Sequence, residues 1–100
     1  MASGHADYSI KAFTSAVSKE QIKIIAGPVE ATNSFAQEVK SILIYNDGVN
    51  PCHVEFDDTA TLNHIPLPAK SWLIVDLNLT DVHTICAVGH AATLYCIGLY

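Results

Sequence analysis

Val39-Lys40-Ser41-Ile42-Leu43-Ile44-Tyr45-Asn46-Asp47-Gly48 is the run that decides the fold class. Val39, Ser41, Leu43 and Tyr45 alternate with Lys40, Ile42, Ile44 and Asn46, and the β-branched residues among them suit a pleated surface. Both parities carry apolar groups, so the pattern predicts a strand over 39–46 that is covered on both faces. Asn46-Asp47-Gly48 ends it, because Asp and Gly tolerate the positive φ of a hairpin turn. After Pro51, whose ring removes a backbone donor, the alternation is cleaner. Cys52, Val54 and Phe56 point one way, while His53, Glu55 and Asp57 point the other. That is the pattern of a half-buried antiparallel strand with a wet outer face.

The same reading extends outward in both directions. Asp57-Asp58 closes the strand, and Thr61 to Ile65 forms a short edge segment before Pro66 and Pro68 break the ladder. Trp72 to Leu77 alternates as a strand, Asn78 to Asp81 turns the chain, and Val82 to Val88 resumes it. Gly89-His90 supplies a tight reversal into a final strand, where Thr93, Tyr95, Ile97 and Leu99 share a side. Upstream, Gln21 to Ala26 reads as a strand stopped by Gly27-Pro28. Ser18 with Gln21, and Ser34 with Gln37, fit a weak helix-capping pattern with room for one helical turn. Tyr8 to Phe13 reads equally well as a first strand or as an extended arm. Short strands with no long helical pattern between them predict an all-β chain. The expected architecture is an antiparallel β-sandwich or small barrel, jelly-roll-like, over residues 19–100. An N-terminal arm or first strand occupies residues 1–18.

Composition bounds the function. The chain has 100 residues, half of them hydrophobic and only 15% charged, which excludes a disordered tail and allows one core. No stretch approaches the ~20 apolar residues that span a bilayer. All five basic residues are scattered lysines in a chain of net charge −5, which argues against direct nucleic-acid binding. Cys52, Cys86 and Cys96 cannot all pair within one chain, and Met1 to Ile10 lacks the order of a secretion signal. Both features predict synthesis in a reducing cytoplasm. The low charge fraction predicts apolar surface covered by other subunits, in a homo-oligomer (trimer or dimer) or on a larger assembly.

Candidate chemistry is sparse. His83, Cys86 and His90 form an H-x2-C-x3-H spacing, but in a strand His83 and Cys86 face opposite ways, so a zinc tetrahedron would need a bulge. Glu55, Asp57 and Asp58 gather near one turn, short of the oxygen-rich wrap that calcium takes. Cys52 and Cys96 sit in apolar strand patterns where the neutral thiol is favoured, and His53 points away from Cys52. No nucleophile elbow, phosphate loop or dinucleotide fingerprint occurs. The sequence therefore predicts no catalytic residues, no cofactor and no metal. Trp72 and Tyr45 read as core or interface residues, and Tyr8, Ile10 and Phe13 are the candidate protein-interface residues of the arm.

From Ser41 onward the chain resembles a recurring type of small bacteriophage virion protein. Ile42 to Gly48 resembles an apolar strand followed by Asn-x-Gly, and Pro51 to Phe56 resembles the strand after it. Ile65-Pro66-Leu67-Pro68-Ala69 is similar to a proline-containing crossover, and Asp81 to Ile85 and Gly89 to Leu94 resemble the last two strands. His90 and the extra cysteines depart from that pattern. The resemblance implies a non-enzymatic structural protein, a capsid decoration (cement) subunit on the virion surface. Its partners would be the major capsid protein or other virion subunits. The alternative it implies is a head–tail or tail component; a second reading, of a different class, is a tail or fibre-tip module binding host surface glycan. A glycan site would need Trp72 or Tyr100 exposed beside Asp or Asn.

Overall fold

The computed structural model describes residues 18–100, and these contain strands and no helix. The strands are β1 (Lys19–Ala26), β2 (Ala31–Val39), β3 (Ser41–Asn46), β4 (Cys52–Phe56), β5 (Pro66–Leu67), β6 (Trp72–Val75), β7 (Leu79–Ile85) and β8 (Ala92–Leu99). They form two four-stranded antiparallel sheets, β1-β8-β3-β6 (sheet I) and β2-β7-β4-β5 (sheet II). Six of the seven connections cross between sheets, with only β4 to β5 staying within one. This is a jelly-roll sandwich. The inner faces meet in one core that includes Ile24, Ile42, Ile44 and Leu94 from sheet I and Val54, Leu67, Leu79 and Val82 from sheet II.

Several local expectations are corrected. The run 39–46 is not one strand, because Lys40 bends the chain and Val39 and Ser41 belong to different sheets. Asn46-Asp47-Gly48 is likewise not a hairpin turn but a crossing from sheet I to sheet II. The positive φ values fall instead at Asp57, Lys70 and Gly89. Gly48 is needed for close approach: a Cβ there would lie 2.9 Å from the Ala92 Cα. Ser34 and Gln37 lie within β2 and cap no helix. Residues 61–65 hold turns and no strand, and β5 is formed by Pro66 and Leu67 themselves. Pro is tolerated there because β5 is an edge strand. β6 stops at Val75 and β7 starts at Leu79, so Leu79 to Asp81 extends a strand instead of turning. β4 ends at Phe56, which leaves Asp57 in the left-handed region and off the strand face it was expected to share with Glu55.

Candidate functional site

The outer faces of the two sheets differ in kind. On sheet I the register sets Gln21, Ile97, Leu43 and Ile74 side by side. The adjacent outward row is Lys23, Tyr95, Tyr45 and Trp72, with Leu99 and Ile25 at the ends of the face. Tyr95 and Ile25 are exposed, whereas Leu43, in the middle, is 6% exposed despite facing outward. The Lys23 ammonium sits 5.9 Å from the centre of the Tyr95 ring, a cation–π contact at the edge of the apolar field. The lysines of the described residues all lie in sheet I strands or in the turns leading into them: Lys19, Lys23, Lys40 and Lys70. Lys70 is held by Asp47 at 3.2 Å.

Sheet II presents polar pairs instead. The Ser34 hydroxyl donates to Asp81 at 2.7 Å, and His83 Nδ1 lies 2.9 Å from Glu30 and 3.1 Å from the Thr32 hydroxyl. His64 accepts the Thr61 N–H at Nδ1 (2.9 Å), so its Nε2 carries the proton it shares with Glu55 at 3.1 Å. Two hydrogen bonds lower the Glu30 carboxyl below the usual glutamate range, first the Ala60 N–H and then His83. A carboxylate held low contributes stability above its unfolded pKa and loses it as pH falls through the folded one. Glu30→Gln should therefore flatten the acid limb of the stability curve below about pH 5. Acid titration of unfolding, with and without the substitution, checks this, and parallel curves would contradict it.

Between the sheets, on the side where β5 and β6 are edge strands, a groove of about 540 Å³ remains open. Phe56, Leu67, Trp72, Leu73 and Val75 supply its apolar walls, and the Glu55–His64 pair and Ser71 stand in its polar part. Trp72 belongs to both the groove and the aromatic row of sheet I.

The residues considered for chemistry are separated. His83 faces outward on sheet II, Cys86 is buried, and His90 lies in the loop before β8. Asp57 accepts the N–H groups of Thr80 and Asp81, Asp58 accepts that of Thr59, and Glu55 holds His64. Among the described residues, no group of three or more such side chains is placed to hold a metal ion. Burial pushes the Cys52 and Cys96 thiols up to about 12, which keeps them neutral. The Tyr100 hydroxyl donates to Glu20, and its ring packs on the core. Tyr8, Ile10 and Phe13 lie outside the described residues. The shared outward face of Tyr95, Ile97 and Leu99 was legible as a period of two. The addition of Leu43, Tyr45, Trp72 and Ile74 to it depends on strand register. No family model matches the chain, and no curated protein matches it significantly.

Proposed function

We propose that this chain is a non-enzymatic structural protein of a bacteriophage virion, a decoration (cement) subunit that docks on the outer surface of the head. The observation that supports this most is the contrast between the two outer faces. On sheet II the outward Ser34, Asp81, Thr32, His83 and Glu55 bond to neighbouring polar groups and suit water, whereas sheet I shows an aromatic and aliphatic field bordered by lysines. The partner surface that fits has an apolar centre with carboxylates opposite Lys23. Four strands about 4.8 Å apart give a face on the order of 400 Å², half the roughly 800 Å² per partner of a stable interface. One copy therefore binds weakly. A dimer or trimer engaging several shell sites at once gains occupancy through effective concentration.

The test is binding to purified heads of a phage that encodes the chain, stripped of it. Tyr95→Asp together with Ile25→Asp, both at exposed positions, should weaken binding roughly 10–100-fold while Tm moves by a few degrees at most. Co-sedimentation and thermal melts read the two quantities. Labelling confined to the tail tip, or capture by a surface glycan through Trp72 in the groove, would replace the head assignment with the tail or fibre reading.

A further inference from the structure

We propose that Cys52 and Cys86 form a cross-strand disulfide when the protein meets an oxidising environment, leaving Cys96 as the free thiol. The inference is independent of what sheet I docks on. His53 pairs with Ile85 in the antiparallel β4–β7 ladder, so the next step of the register sets Cys52 opposite Cys86. The Cys86 N–H does not point at β4, because it donates to the Gly27 carbonyl at 2.8 Å. That makes 52/86 a non-hydrogen-bonded pair, the position where opposed Cα atoms approach to about 4.5 Å and side chains are closest. A disulfide spans Cα separations of about 4.4–6.8 Å, a range that includes the spacing of such a pair. Both side chains are buried in the core, and Cys52 Sγ lies 3.8 Å from the carbonyl of Ile85, the residue next to Cys86 on β7. Cys96 lies in sheet I between Ile22 and Ile44, so it faces this pair only across the core.

The oxidant is a small-molecule disulfide, RSSR. Cys86 lies just beyond the end of β7, in the loop leading to the Gly89 turn, so local opening of that loop exposes it without unfolding the sheet. Its thiolate attacks RSSR, forming a mixed disulfide and releasing RS⁻. The Cys52 thiolate then attacks the Cys86 sulfur, forming the Cys52–Cys86 bond and expelling the second RS⁻. The two protons from the cysteines end on the two RS⁻ groups, so two thiols are oxidised and one RSSR is reduced to two RSH. Because burial holds the Cys52 thiol high, the bond forms slowly in the folded protein at neutral pH and faster during refolding or at alkaline pH.

The full chain, reduced and then refolded in an oxidised/reduced glutathione mixture at about pH 8, tests this. Intact mass should fall by two hydrogens, and one thiol should remain titratable in denaturant. Cleavage after lysine and then at aromatic residues should yield a peptide carrying Cys52 joined to one carrying Cys86. The Tm should rise by roughly 10 °C or more and return on adding dithiothreitol, since the bond closes the long segment 52–86. Cys96→Ala should keep the oxidised product and Cys86→Ala should lose it. A link that includes Cys96, or three free thiols after oxidative refolding, would overturn the proposal. Mapping the unsubstituted chain separates these outcomes even where a variant folds poorly.

Discussion

Asn46→Leu is expected to lower stability by about 3–5 kcal/mol, a large share of the roughly 5–15 kcal/mol available to a domain. Asn46 is completely buried at the end of β3. Its Nδ2 donates to the carbonyls of Asn50 at 2.9 Å and Leu67 at 3.1 Å, and its Oδ1 accepts the Gly48 N–H at 2.8 Å. Its backbone N–H donates to the Ser71 carbonyl, and its own carbonyl accepts the Lys70 N–H, both at 2.8 Å. One residue thus joins the end of β3 to the crossing into β4, to β5 and to the turn before β6. Leucine keeps the branched shape, with bulkier methyl ends, but leaves one donor and two acceptors without the partners they had, at about 1–3 kcal/mol each where water cannot replace them. The denaturation midpoint should fall with an unchanged m-value. Asn46→Asp makes the cause visible, because a carboxylate there faces two carbonyls it cannot bond. That unfavourable setting raises its folded pKa, so the deficit should be full at neutral pH and shrink as pH falls through that pKa. A loss under 1 kcal/mol for leucine, or no pH dependence for aspartate, would remove Asn46 from this role. Leu67 and Ser71 also line the groove, so the same variants should loosen its walls.

In the sequence Asn46 looks like an ordinary turn former, since Leu67 and Ser71, its partners, lie more than twenty positions away. The distinction between local and distant partners also separates what was legible from what was not. β1, β4 and β8 show as alternation because their inner residues are mostly apolar, while β3 and β6 show as short runs apolar on both parities. β2 does not: of its nine residues only Phe35 and Val39 are buried, and Gln37 between them, on the same parity, is exposed. Sheet membership is equally hidden, because crossing to the other sheet and folding back as a hairpin use the same turn residues, as at Asn46-Asp47-Gly48. The outward side of β8 was readable at Thr93, Tyr95, Ile97 and Leu99. That Leu43 and Trp72 complete the same face follows only from the pairings of β3 with β8 and β6.

Gly98→Val is expected to cost about 3 kcal/mol or more, and Gly98→Ala about 1–3 kcal/mol, although β-propensity alone would favour both. Gly98 lies on the inner side of β8, opposite Glu20 and Ile42. A Cβ there would fall 2.7 Å from Val39 Cγ1 and 2.8 and 3.0 Å from Phe35 Cε1 and Cζ. Those two side chains come from the irregular half of β2, where the register passes from Ser34 opposite Asp81 to Val39 opposite Leu79. Five steps along β2 therefore match two along β7, and the surplus residues form a bulge that carries Phe35 and Val39 onto sheet I. Both are buried, so neither has solvent to swing into. The coupling is measurable. Val39→Ala removes the atom nearest the new Cβ, so Gly98→Ala should cost at least 1 kcal/mol less in the Val39→Ala background than in the native chain. Strict additivity in that double-mutant cycle would mean that Gly98 does not seat the bulge, and that some other contact fixes the irregular half of β2 against sheet I.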